Sequence, residues 1–284
     1  MKQLFLMVGA TLALLGATPE QVERYLMVSG SEDQLMAFEE MVDEMGQMFG
    51  RKSGTEIPLM QDSQLVSIRF REYIQQHLSD SEMEEVLANY AHDVMRKLVS
   101  AEVIMDEQTT RQEYIDFQQT LQTDPLPKNR TEAVRAIVEA LYDEEALSGF
   151  FTKLFLPTYT AISDASGQPI DAKQIEKVTK DFVKRMRDQN YNAMLFMTRD
   201  FTDEELGELE EIAKSSASDH EVKAVFGGIE YAMEEAMLNM ARELKTLFKA
   251  RRHPPMRGKD AASEKGAVTP AAGAPRTAPA RSAE

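Results

Sequence analysis

Phe201-Thr202-Asp203-Glu204-Glu205-Leu206 opens a helix, and Leu78-Ser79-Asp80-Ser81-Glu82-Met83 repeats its grammar. In each stretch a hydroxyl residue stands at the N-cap. A glutamate three positions on (Glu205, Glu82) reaches back to the cap amide and completes a capping box. The apolar residue before the cap, Phe201 or Leu78, packs on Leu206 or Met83 as a hydrophobic staple. Losing such a cap typically costs about 1 kcal/mol, so the device fixes where a helix begins. Its double occurrence predicts a duplicated helical module.

The same grammar extends in both directions. Thr18-Pro19-Glu20-Gln21 caps a helix with proline at its first position, where the missing amide costs nothing. Gly30 ends that helix, and Ser31-Glu32-Asp33-Gln34 starts another that runs to about Phe49. Val66, Phe70, Tyr73 and His77 recur at helical spacing, and the helix from Ser79 continues through Val86, Tyr90, Val94 and Leu98. A further helix covers Asp106 to Leu121, and Thr123 to Asn129, with two prolines, reads as a linker. Thr131 then caps a helix carrying Val134, Ile137 and Val138. The next, from Leu147 to Phe155, kinks or stops at Pro157. Ser163 to Pro169 reads as a loop, and Asp171 with Gln174 forms another box. Ser218-Asp219-His220-Glu221 reads as the box that opens the last helix, where Gly227-Gly228 costs about 1 kcal/mol per glycine against alanine. No alternating β-branched run flanked by turns occurs, so the fold class is all-α.

Two sets of anchors support duplication. Leu26, Glu32-Asp33 and Leu35 correspond to Val138, Glu144-Glu145 and Leu147, each 112 positions on. Ser79, Glu82 and Met83 correspond to Thr202, Glu205 and Leu206, each 123 positions on. A period this long makes domain-sized units rather than a short-repeat solenoid. The expected organisation is a signal over 1–17, one helical repeat over 18–124, a second over 125–250 and a tail over 251–284. The tail is rich in Ala, Pro, Arg and Gly without apolar periodicity, a composition that predicts disorder.

Bulk properties narrow the function. The net charge is −16, and residues 18–250 hold 24 bases against 45 acids, a net of −21. A body that acidic repels phosphate backbones, which argues against a nucleic-acid partner. With no cysteine, disulfides, thiolate zinc sites and cysteine nucleophiles are excluded. Lys2, the apolar run Leu4 to Leu15 and then Gly16-Ala17 have the parts of a secretory signal. The expectation is export to a periplasm with cleavage after Ala17. A spanning helix needs about 20 apolar residues, and this run is shorter.

The export signal, the Thr-Pro-Glu-Gln-Val helix and the Phe-Thr-Asp-Glu-Glu-Leu start together resemble a bacterial envelope family, the domain of unknown function twenty fifty-nine. In the second copy Phe201, Thr202, Glu204, Glu205, Leu206 and Ser215 match its pattern. Ile212-Ala213 replace the usual Phe-Tyr, and Ser218 replaces a Gly. In the first copy Tyr90 and Arg96-Lys97-Leu98 match, while Asn89 and Met95 depart from it. The resemblance covers chiefly 19–104 and 131–226. It implies a helical, exported protein and brings no catalytic residues.

No reactive constellation stands out. The four histidines, His77, His92, His220 and His253, lack the Glu-x-x-His of di-iron bundles and the His-Glu-x-x-His of zinc proteases. His77 and His92 flank the Asp80 turn but read as surface or partly buried residues. Glu39, Glu40, Asp43 and Glu44 read as a solvated acidic face. The methionine rows Met41, Met45, Met48 and Met233, Met237, Met240 lie on apolar helix faces and read first as core. If exposed, they form an adaptable surface for an apolar partner. The sequence therefore predicts a non-enzymatic periplasmic binding or scaffolding protein, chaperone-like, without cofactor or transmembrane span in the mature form. Its partner is an envelope protein. The alternative is a carrier of a lipid or small apolar ligand in a Met-lined cavity between the repeats.

Overall fold

The computed structural model describes residues 16–33, 35–36, 38–40, 63–104, 108–168 and 170–252. Nearly all of the expected signal, the row Met41, Met45 and Met48, and the tail from 253 lie outside the described residues. Among the described residues the chain is helical and contains no strand, so the fold is all-α. In chain order the helices are α1 Pro19–Ser29, α2 Ser63–His77, α3 Asp80–Tyr90, α4 Asp93–Ile104, α5 Gln108–Thr123 and α6 Lys128–Leu141. They continue with α7 Glu144–Phe150, a π-helical turn Phe151–Phe155, α8 Leu156–Ser166, α9 Ala172–Met197, α10 Asp203–Ala213 and α11 Ser216–Arg252. Residues 31–33, 35–36 and 38–40 are helical as well.

Capping boxes start α1, α3, α9 and α10 at Thr18, Ser79, Asp171 and Thr202, each with its glutamine or glutamate bonded back to the cap amide. Gly30 closes α1 in the left-handed region at φ 68°. Five details differ from the sequence expectation. The helix expected to continue from Ser79 through Leu98 is interrupted at Ala91 and His92, where α3 ends and α4 begins. α6 begins after Pro127, so Thr131 lies inside it and donates its hydroxyl to the Lys128 carbonyl. α8 runs on to Ser166 and ends at Gly167, φ 69°, which shortens the expected loop. The helix from Glu144 widens into a π turn before Pro157, which falls in the first turn of α8. The helical run is continuous over 144–166, so Pro157 offers no amide to the turn before it, and that turn is the one that widens. Finally, α11 starts one turn earlier than Ser218: the Ser215 hydroxyl accepts from the Ser218 amide at 3.2 Å.

α11 is the organising element. Its 37 residues span about 55 Å at 1.5 Å per residue, and it packs on α2, α3, α7, the π turn and α8. Gly227 and Gly228 are what let α2 come so close. A Cβ at Gly227 would stand 2.3 Å from the Tyr73 hydroxyl, and one at Gly228 would stand 2.8 Å from the Phe70 ring. The glycines cost helix propensity but permit ring-to-backbone packing across that contact.

Two apolar cores result, and they do not follow chain order. The first gathers Tyr25, Phe70, Ile74, Leu78 and Met83 from α1 to α3 and their connections, together with Met233, Met237, Met240 and Leu244 of α11. The second gathers Val94 and Leu98 of α4 with Val134, Ile137, Val138, Met194, Leu206 and Leu209. The last described helix thus completes the core begun by the first described residues. α4, the helix following α3, completes the core of α6, α9 and α10. Lys97 of α4 reinforces this second union, holding Glu205 at 2.8 Å and lying over the Phe201 ring.

Positions 112 or 123 residues apart take similar places. Val22, Tyr25 and Leu26 are buried on α1, and Val134, Ile137 and Val138 are buried on α6. α3 and α10 have the same length of 11 residues and start 123 positions apart, as α4 and α11 also do. Ahead of α1, the Ala17 amide donates to the carbonyls of Gln75 and Leu78. A Cβ at Gly16 would collide with the Gln75 carbonyl.

Candidate functional site

A cavity of about 220 Å³ lies where the two cores meet. α4 contributes Met95, Leu98, Val99 and Glu102, and the end of α9 contributes Met194 and Met197. Leu209, Ile212 and Ala213 of α10 close one side, and Val222, Val225, Phe226 and Ile229 of α11 close another. Its wall is therefore chiefly aliphatic side chains and methionine thioethers.

One end of the cavity is polar. Glu221, in the second turn of α11, presents Oε1 to two tyrosine hydroxyls. Tyr25 donates at 3.0 Å and Tyr90 at 2.6 Å. The Tyr25 hydroxyl also meets the Ser31 hydroxyl at 2.9 Å, which meets that of Ser29 at 2.8 Å. The Tyr25 and Tyr90 rings stand edge to face, 6.1 Å between centroids. Each partner comes from a different element, so the network forms only when α1, α3 and α11 dock.

Glu221 is half-buried and lines the cavity, with many protein atoms packed around its carboxyl. Burial pushes its carboxyl up to about 7, against the opposing pull of the two tyrosine hydrogen bonds. No base offsets that burial: the cavity wall holds two acids, Glu102 and Glu221, and no Lys, Arg or His. Burial, with the Glu221 charge second, holds both Tyr25 and Tyr90 well above the ordinary phenol range. Tyr142, on the same wall, is pushed up to about 12 by burial and then by Glu102. These tyrosines stay neutral donors at physiological pH.

A larger hollow of about 290 Å³ between α6 and α9 is of another kind. Its charged rim is largely internally neutralised: Lys180 pairs with Glu176, Arg187 lies near Glu144, and Arg135 covers the Tyr191 ring. Exposed pairs of this sort contribute little. The buried carboxyl makes the inter-core cavity the stronger candidate.

Met233, Met237 and Met240 lie in the first core at 1%, 1% and 0% exposure. They fill space between α11 and its neighbours and present no surface to a partner. The methionines that do face a cavity are Met95, Met194 and Met197. The histidines remain apart: His77 stacks on Tyr73, His92 Nδ1 lies 2.7 Å from Glu208, and His220 Nδ1 lies 3.3 Å from Glu82. Among the described residues no group of three or more His, Asp or Glu is placed to hold a metal ion. None of the described helices is long and apolar enough to cross a membrane.

Glu221 is the residue that sequence pattern misplaced. Ser218-Asp219-His220-Glu221 has the spacing of a capping box, but Ser215 holds the cap and Glu221 turns inward. The 123-position offset carried the signal, because it sets Glu221 on Leu98, a residue of the buried apolar stripe. Among the residues that carry the family resemblance, Lys97, Phe201 and Glu205 converge where α4 meets α10. Tyr90 and Leu98 line the cavity.

Comparison with protein-family models, curated proteins and solved structures finds no match.

Proposed function

We infer that this protein is a non-enzymatic carrier or receptor for a small, largely apolar molecule, exported to the periplasm, with the inter-core cavity as its binding site. The observation that carries the reading is a Met- and aliphatic-lined cavity ending in a buried tyrosine–carboxyl network. Apolar walls supply affinity by removing ligand surface from water, and a few placed polar groups fix orientation. The scaffolding reading rests on the export signal, the acidic body and the absence of catalytic motifs, and the interior position of Met233, Met237 and Met240 adds no partner surface to it.

Duplication explains why the cavity lies where it does. At the 123-position offset, Tyr90 pairs with Ala213, Met95 with Ser218, Leu98 with Glu221, Val99 with Val222 and Glu102 with Val225. Both members of every pair line the cavity. At the 112-position offset Ser29 pairs with Leu141, again both on the wall. The resemblance to the domain of unknown function twenty fifty-nine fits the same history.

Calorimetric titration with 2-phenylethanol tests the reading, since a cavity of about 150 Å³ already holds a benzene ring. Binding is expected for the native protein and a loss of at least tenfold for Ala213→Leu, which fills the cavity. The exposed-site control Met36→Ala binds as the native chain does. Absence of binding by this probe and by toluene alike overturns the proposal.

A further inference from the structure

The pairs across the cavity are not alike, and their difference specifies the ligand. At five of the six paired positions one member is polar: Tyr90, Ser218, Glu221, Ser29 and Glu102 pair with Ala213, Met95, Leu98, Leu141 and Val225. Of these, Tyr90, Glu221 and Ser29 belong to one hydrogen-bonded network through Tyr25 and Ser31. The cavity thus has a head and a body, and any occupant long enough to touch both is amphiphilic.

The head accepts hydrogen bonds more than it donates them. Glu221 Oε1 is already occupied by two tyrosine donors. Among the described residues Glu221 Oε2 has no protein partner, and no cation lines the cavity. A buried carboxylate without a cation is costly, and in the empty protein it is relieved by taking up a proton. An occupant that brings its own positive charge and N–H donors replaces that proton. An anionic head meets two acids and is rejected.

On the reading of the cavity as a binding site, the geometry points to a protonated primary amine on a short hydrocarbon or aromatic body as the class of ligand this protein takes. The ammonium donates to Glu221 Oε2, with the Tyr90 and Tyr25 hydroxyls holding the carboxylate in place. The body lies among Leu98, Met194 and Met197, beside the Tyr142 and Phe226 rings. Those rings stand 6.5 Å apart, edge to face, and their faces attract a cation as well as a methylene chain. Binding exchanges one proton on Glu221 for one ammonium, so charge balances and a proton leaves for the buffer. The other ionisable groups around the carboxyl are Tyr25 on α1, Tyr90 on α3, Glu102 on α4, Tyr142 after α6, and the His220–Glu82 contact outside it. The tyrosines stay neutral throughout.

Calorimetric titration of the full chain at pH 8 with 2-phenylethylamine, 2-phenylethanol and 3-phenylpropionate tests this, because the three differ chiefly in head-group charge. The amine is expected to bind at least tenfold more tightly than the alcohol, and the carboxylate not at all. Glu221→Gln is expected to lose that tenfold preference while still binding the alcohol. Repeating the amine titration at pH 6 in two buffers of different ionisation enthalpy reads proton release without any variant, with close to one proton expected per amine. Equal affinities for amine and alcohol, a preference that survives Glu221→Gln, or no proton released at pH 6 overturns the amine assignment. If the alcohol still binds in those cases and Ala213→Leu still blocks it, the cavity reading stands alone. If none of the three probes binds, both fall.

Discussion

Leu98 and Glu221 occupy corresponding turns of α4 and α11, both on the cavity wall, and do opposite things. Leu98 is simply buried against the second core. Glu221 is half-buried beside the first core, where Tyr25 and Tyr90 bond it. An all-apolar pair at this place would close the space by packing. One carboxyl in place of a leucine leaves a site that demands hydrogen bonds and resists collapse. A similar contrast separates the interior of the first core, filled by Met233, Met237 and Met240, from the cavity lined by Met95, Met194 and Met197. The same residue type serves as filling in one region and as wall in the other, because the neighbours differ.

The largest effect should come from that second contrast. Met237→Ala removes a side chain at 1% exposure from a filled core, and such truncations cost about 3 kcal/mol. Met197→Ala, on the cavity wall and only half-buried, is expected to cost less than about 1 kcal/mol. Denaturant unfolding of the two variants measures both. Equal losses would remove the distinction between filled core and open wall.

Next in size is the contact of α2 with α11. Alanine favours a helix over glycine by about 1 kcal/mol, so propensity alone predicts that Gly228→Ala stabilises. The Phe70 ring 2.8 Å from the new methyl predicts the reverse, a net loss of about 2 kcal/mol from overpacking. Thermal unfolding of Gly228→Ala beside Gly149→Ala, where a Cβ meets nothing within 4 Å, separates the two terms.

The carboxyl itself should make stability depend on pH. The fold holds Glu221 protonated more strongly than the unfolded chain does, since its pKa is raised from 4.5 to about 7. Its contribution is therefore fully present below about pH 4.5 and is lost as pH rises through about 7, a change on the order of 2 kcal/mol. Glu221→Gln should flatten that part of the profile between pH 5 and 8. A saturating amine should reverse its sign, because the bound form needs the carboxylate. Urea midpoints at pH 5, 6, 7 and 8 follow all three curves.

The helices and four of their starts were legible in the chain because a capping box is complete within four residues. Thr18, Ser79, Asp171 and Thr202 needed no information from elsewhere. The same locality misled at Ser218. Its four-residue pattern is as good as the others, yet Glu221 is claimed by Tyr25, 196 positions away, and Tyr90, 131 away. No window along the chain contains that competition. The row Met233, Met237 and Met240 is core, the first of its two sequence readings: helical spacing marks a face as apolar, and only packing decides whether it meets protein, cavity or solvent. The π turn is a third case, since Pro157 predicts an interruption but not that the helix absorbs it by widening one turn earlier.

The smallest predicted effect bears most directly on the correspondence between α3 and α10. Ser79 and Thr202 cap helices of equal length, so Ser79→Ala and Thr202→Ala should each cost about 1 kcal/mol. The two variants should differ in their response to salt. In Thr202→Ala the Glu205 carboxylate keeps both the residue 202 amide and Lys97, the latter at 2.8 Å. In Ser79→Ala the Glu82 carboxylate loses the Ser79 hydroxyl and has only His220, at 3.3 Å, as a nearby basic side chain. Raising salt should therefore weaken the Thr202→Ala variant more than the Ser79→Ala variant, by a few tenths of a kcal/mol as that ion pair is screened. Ser215→Ala belongs in the same series: a loss of about 1 kcal/mol there with a smaller one for Asp219→Ala places the cap of α11 at Ser215. The opposite order would return the cap to Ser218, restore Glu221 to the helix surface and dissolve the contrast with Leu98.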